Sequence, residues 1–182
     1  IEFNNLGWIE DTFYKPVLKD KSFILDVNYN SINKDNTSIS FKVFLKDPKG
    51  SVVLEELFDE KCVFGKNLIS RKFKLKDLLL WDCENPNIYS AKIETYNGNT
   101  LIDSKELSIG FKEFTYKKGS FFLNGEKIFV KGGFWEGVYS KHQSYPDNAE
   151  EVRHEIELAK KAGFNLLRPW RRPVPPIILE EA

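Results

Sequence analysis

The chain has no methionine, two cysteines, two histidines and no surplus of either charge. Each shortage removes a class of function. Cys62 and Cys83 are too few for a disulfide framework and lack metal-ligand spacing, so two separate thiols are expected in preference to the alternative of one disulfide between them. His142 and His154 stand apart from any cysteine or carboxylate pattern resembling a zinc site. No cofactor or metal is therefore expected. Twenty-seven Lys and Arg against 27 Asp and Glu leave no field to draw nucleic acid or an anionic membrane. No apolar run approaches the ~20 residues of a membrane-spanning helix. Partners of both kinds are thus expected to be absent. No leader is visible, and because one removed upstream would leave no trace, the compartment stays open, with a periplasmic or secreted one favoured over the cytoplasm.

What is present is a well-supplied core. Apolar residues make up 41% of the 182 positions, and there are 15 Phe, 7 Tyr and 4 Trp. Between residues 22 and 110 the apolar residues recur with period two. Ile39, Phe41, Val43 and Leu45 alternate with mostly polar neighbours, as do Phe23, Leu25, Val27 and Tyr29, and Tyr89, Ala91 and Ile93. Asp47-Pro48-Lys49-Gly50 suits a type I turn and Asn97-Gly98 a hairpin. About seven short strands of this kind predict an immunoglobulin-like β-sandwich, without the Cys–Trp–Cys core of antibody domains. The alternating Lys-rich run Arg71 to Lys76 reads as a solvated strand face, and Trp81 and Tyr89 as core.

After residue 110 the pattern changes. Phe121-Phe122-Leu123, Asn124-Gly125 and Lys127 to Val130 predict a further hairpin. Asp147 and Glu150 have capping-box spacing, with Asp147 at the N-cap. Ala149, Val152, Ile156 and Ala159 then define one helix face, and Gly163 a C-terminal cap. Phe164 to Leu167 is short and apolar, as expected of a strand buried on both sides, and Ile177-Ile178-Leu179 should open a second helix. A capped helix leading through glycine into a strand that ends in Arg168 and Trp170 is how a (β/α) barrel begins, and catalytic groups sit at such strand ends. The expected architecture is mainly β: an immunoglobulin-like sandwich followed by the first β/α elements of a truncated TIM barrel.

Several stretches, in this order, carry a resemblance to glycoside hydrolase family 2, the β-galactosidase, β-glucuronidase and β-mannosidase relatives. Leu6 to Pro16 resembles the last strand of that family's N-terminal jelly-roll domain. Leu80-Trp81 through Asn85-Pro86-Asn87-Ile88-Tyr89 is similar to its "LW…NP.LY" stretch, and Ile109-Gly110-Phe111-Lys112 to its "GFR" strand, with Lys in place of Arg. Phe122 to Ile128 with Lys131-Gly132-Gly133 resembles the entry to its catalytic barrel. The resemblance implies domains at 1–18 (jelly-roll strand), 19–110 (sandwich) and 111–182 (barrel start). It further implies a fragment of a retaining exo-acting β-glycosidase whose missing parts pack on the barrel segment and whose partner is a carbohydrate substrate. The two catalytic carboxylates of such an enzyme follow later strands, so the chain alone is expected to be inactive and no residue is assigned a catalytic role.

The candidate substrate-binding residues are Trp135, Glu136, Arg168 and Trp170. The two tryptophans offer a flat apolar surface to a sugar, or pack the barrel mouth. Arg168 would orient a carboxylate or a hydroxyl through its donor fork, or form a structural ion pair. Glu136 would orient a loop or a sugar hydroxyl, and Glu180 reads as a solvated helix residue. Gly132-Gly133-Phe134-Trp135 and Leu167-Arg168-Pro169-Trp170 look more like the mannosidase and exo-glucosaminidase branch, and the "LW…NP.LY" stretch more like the galactosidases. Arg171-Arg172-Pro173 departs from the mannosidases' glycine run. The chain also lacks the galactosidases' His-Glu pair after the glycine and their Arg-x-x-His run. The alternative reading is a non-catalytic spacer or carbohydrate-binding module.

Overall fold

A computed structural model describes residues 6–135, 139, 146, 148–169 and 173–182. These residues fall into two compact units, one running to Phe114 and including Leu123–Gly125, the other holding Thr115–Phe122 and Glu126–Ala182.

The first unit contains β1 (Gly7–Val17), β2 (Ser22–Ser31), β3 (Thr37–Lys46), β4 (Val52–Cys62), β5 (Gly65–Lys74), β6 (Ile88–Asn97) and β7 (Thr100–Gly110). Two antiparallel sheets result, ordered β1-β2-β5 and β4-β3-β6-β7. The period-two pattern is what buries one face of each. Ile39, Phe41, Val43 and Leu45 are all 1% exposed or less, and share one core with Phe23, Leu25, Val27 and Tyr29 of the other sheet. Aromatic rings cross that core. Phe41 meets Tyr29 edge-on at 5.6 Å and stacks on Phe58 at 5.7 Å, and Phe58 reaches Phe73 at 6.2 Å. Tyr89 is core as expected, and its hydroxyl accepts from the Leu79 N–H at 2.8 Å. Trp81 is half-buried, with the Lys112 ammonium 3.8 Å from its ring centre.

β1 falls within residues 1–18, the stretch that the resemblance reads as a jelly-roll strand. It pairs along its whole length with β2, from Gly7 opposite Ser31 to Val17 opposite Ser22. Ile9 lies in the sandwich core and Tyr14 packs against it. β4 lies beside β3, which distinguishes the strand order from the antibody constant-type arrangement.

The turns follow their residues. Asp47 accepts from the Gly50 N–H with its carbonyl and from the Lys49 and Ser51 N–H groups with its carboxylate. The β6–β7 turn centres one residue later than expected, on Gly98-Asn99, with Gly98 at φ +57° and Asn97 opposite Thr100.

After β7 comes a meander of β8 (Phe114–Lys117), β9 (Ser120–Leu123) and β10 (Glu126–Ile128). Its turns, Lys118-Gly119 and Asn124-Gly125, hold positive φ at both central positions, the I′ geometry that suits tight hairpins. Then come β11 (Gly132–Trp135), α1 (Ala149–Lys161), β12 (Leu166–Pro169) and α2 (Pro176–Glu181), with β11 and β12 parallel.

α1 buries the predicted face, with Val152 and Ile156 inside. Its cap is Asn148, whose side chain accepts from the Glu151 N–H at 2.9 Å. That replaces the expected Asp147, which lies outside the described residues; Asn caps as well as Asp does, and Glu151 then holds the third position. At the other end Gly163 (φ +86°) donates to Lys160 and Phe164 to Ala159, the Schellman pattern. β12 begins two residues later than expected and is not buried on both sides. Leu166 is 40% exposed because β11 is its one strand neighbour and the helices cover one face.

Candidate functional site

The parallel pair β11–β12 is held at its start by Asn165. The Asn165 side chain accepts from the Lys131 N–H at 2.8 Å and donates to the Phe129 carbonyl at 3.0 Å. A Cβ on Gly133 would sit in ordinary contact, 3.4 Å from the Phe164 ring. From there the register pairs Gly132 with Leu166, Gly133 with Leu167, Phe134 with Arg168 and Trp135 with Pro169. Successive side chains on a strand point to opposite faces, and paired residues share one. Trp135 and Leu167 therefore lie on the helix-covered face, packed against Val152, Ile156 and Ile178. Phe134 (57% exposed), Leu166 and Arg168 occupy the open face.

Trp135 and Arg168, grouped as one binding surface on sequence grounds, are thus separated by the pleat. Trp135 instead joins a buried polar network. A hydrogen bond from Trp135 reaches Tyr139, a residue 5% exposed, whose hydroxyl donates to Glu155 Oε2 on α1 at 2.9 Å. Burial, then the bond to Glu155, push the Tyr139 phenol well above its ordinary 10, while the Trp135 bond opposes the shift. The phenol stays neutral and serves as a donor. A second clamp joins the helices: Arg153 Nε and Nη2 donate to the two Glu181 oxygens at 2.9 and 3.0 Å. Such a fork fixes geometry as well as charge.

Of the predicted site residues, then, Arg168 is at a strand end on the open face, and Trp135 is at a strand end on the packed face. Glu136 and Trp170 lie outside the described residues. Glu180 is exposed on α2, as expected. Phe134 was missed, although alternation from Trp135 would have marked it as the residue beside Arg168. Tyr139 and Glu155 were missed because they stand 16 residues apart and no local pattern pairs them. The described residues of β11 and β12 carry no carboxylate, and among all described residues no group of His, Cys, Asp and Glu is placed to hold a metal ion. No described helix is long and apolar enough to cross a membrane.

Comparison with known proteins addresses both units. The family model for glycosyl hydrolases family 2 matches residues 8–112, starting within β1. A β-galactosidase of Thermoanaerobacterium thermosulfurigenes is 31% identical over 151 residues, which cover 78% of this chain and 20% of that protein. A β-glucuronidase of Streptococcus agalactiae is 28% identical over 167 residues, 87% of this chain and 27% of that protein. The fold of a family 2 member from Bacteroides cellulosilyticus superposes with a TM-score of 0.87 over 98% of this chain and 24% of its own, at 22% identity. The chain belongs to glycosyl hydrolases family 2. It spans between a fifth and about a quarter of the length of these curated relatives.

Proposed function

We propose that this chain is the immunoglobulin-like domain and the opening β/α elements of the catalytic barrel of a retaining exo-acting β-glycosidase. The observation that carries the reading is the parallel β11–α1–β12 unit with Arg168 at the C-terminal end of β12, on the face away from the helices. In a (β/α)8 barrel that is the interior face at the catalytic end. The parent hydrolyses a terminal β-linked sugar. Similarity to a named β-galactosidase favours a β-galactoside over a β-mannoside. Two carboxylates about 5–5.5 Å apart, one acid/base and one nucleophile, do the chemistry, and both come from other barrel strands. The chain alone therefore turns over no glycoside. Arg168 holds one carboxylate ionised and in place through its planar fork.

The test uses an enzyme that carries this chain with the remaining barrel. Arg168→Ala should lower kcat/KM on a chromogenic β-galactoside by roughly ten- to a thousandfold with the fold intact, and Arg168→Lys should recover little. Unchanged kcat/KM with a lowered Tm would make Arg168 structural and end this reading.

A further inference from the structure

Two Asn-Gly dipeptides occupy the centre or shoulder of two-residue hairpin turns, and sequence alone does not distinguish them. Asn97-Gly98 ends β6, and Asn124-Gly125 connects β9 to β10. Their surroundings differ. Asn97, Gly98, Asn99 and Thr100 are all exposed, and among the described residues no side-chain hydrogen bond holds Asn97. Asn124 is half-buried and its amide is occupied at both ends. Its Oδ1 accepts from the Glu113 N–H at 3.0 Å, and its Nδ2 donates to the Trp81 carbonyl at 2.9 Å. Its own N–H donates to the Glu113 carbonyl at 2.8 Å, with φ fixed at +53°.

From this contrast we infer that Asn97 is a site of spontaneous covalent modification by water, and that Asn124 is protected by the fold. The backbone nitrogen of the following glycine, having lost its proton to solvent base, attacks Cγ of the asparagine. A bond forms between that nitrogen and Cγ, the bond from Cγ to Nδ2 breaks, and ammonia leaves with the protons it needs from solvent. The five-membered succinimide then adds one water at either carbonyl and opens to aspartate or isoaspartate. Overall one water enters and one ammonia departs, with no oxidant or reductant. Attack requires the asparagine side chain to swing its carbonyl carbon onto the next nitrogen. Gly98 has no side chain to shield that nitrogen, and nothing restrains the Asn97 amide. Asn124 must first give up both side-chain hydrogen bonds, and two such bonds of ordinary net strength slow the step by about ten- to a hundredfold. The product at position 97 carries a new negative charge, and its isoaspartyl form lengthens the backbone beside the closing pair Asn97–Thr100.

The test is incubation of the purified chain in mildly alkaline buffer below its melting temperature, with peptide mapping by mass spectrometry and chromatographic separation of isoaspartate over time. The expected result is conversion at Asn97 at least about tenfold faster than at Asn124 in the folded chain. In concentrated urea, where both dipeptides lose their surroundings, the two rates should converge. Equal rates in the folded chain, faster conversion at Asn124, or a rate difference that survives unfolding would each overturn the proposal.

Discussion

The sandwich and the strand–helix–strand unit use the same apolar residue types to opposite effect. In the sandwich, alternation on two sheets closes onto itself, so Phe23, Phe41, Phe73 and Phe111 are all 1% exposed or less. In the second unit the buried cluster is Val152, Ile156 and Ile178, while Phe129, Phe134 and Phe164 stand 79%, 57% and 41% exposed. Burial of apolar area is the main stabilising term, so stability should be concentrated in the first unit. The lesson is that an amphipathic strand declares a face to be covered without supplying the cover.

The largest test of that contrast is Phe41→Ala. The ring packs between Tyr29 and Phe58 at the middle of the sandwich, and its removal should cost about 3–5 kcal/mol in urea unfolding monitored through the sandwich. Loss of less than about 1 kcal/mol would mean that the core collapses around the gap. Next is Ile156→Ala, which leaves a hole beneath α1 and should cost its unit about 2–3 kcal/mol. Hydrogen exchange should quicken in α1 and β12 and stay unchanged in β3. Matching acceleration in β3 would show the two units to be one cooperative system. Gly163→Ala forces a Cβ into the left-handed region at the end of α1 and should cost about 1 kcal/mol, read as faster exchange in the last helical turn.

The smallest effects are those of pH. Hydrogen bonds from Lys92 and then Tyr96 hold the Glu94 carboxylate below its ordinary 4.5, and bonds from Lys15 and Ser70 hold Asp26 below 3.8. A carboxylate depressed by folding stabilises above its unfolded value and loses that contribution as protons return. At the other end burial pushes the Cys62 thiol from 9.0 to about 11 and the Tyr29 phenol from 10.0 to about 12. Their neutral forms favour the folded state fully below 9.0, and the contribution fades as pH climbs toward 12. Urea midpoints of the sandwich should therefore be level from about 4.5 to 9.0 and fall on both sides. Tyr29→Phe, which removes a buried hydroxyl with no hydrogen-bond partner among the described residues, should flatten the alkaline limb at little cost near neutrality.

Most of the sandwich was legible because period-two burial is a local property: Ile39 to Leu45 announce their face without reference to any neighbour. Partner choice is not local, so the sequence does not show which strand β1 pairs with. Its alternation is the same whichever sheet it joins, and the decision lies in the pairing with β2. Helix α1 was read to within one residue at its cap because Asp147, Asn148, Glu150 and Glu151 offer two adjacent capping frames. At the candidate site the position of Arg168 followed from strand-end logic. The orientation of Trp135 did not, since its packing against Val152, Ile156 and Ile178 joins residues far apart in sequence.

One contact in the sandwich bears on the behaviour of many copies rather than one. The Tyr14 hydroxyl accepts from the Gly110 N–H and donates to the Gly110 carbonyl, each at 3.2 Å. Nearby, Asp103 accepts the Ile9 N–H at 2.7 Å, and Lys105 donates to the Glu10 carbonyl at 3.2 Å. Backbone groups on the rims of both sheets, the usual template for recruiting a foreign strand, are thus occupied by side chains, and two lysine- and aspartate-bearing rims meet a newcomer with charge. Aggregation through that side is closed off without a further strand. Any fibril-like association of this chain should begin elsewhere, at β4 or β5, where Val52, Leu57 and Leu68 are 54%, 64% and 67% exposed.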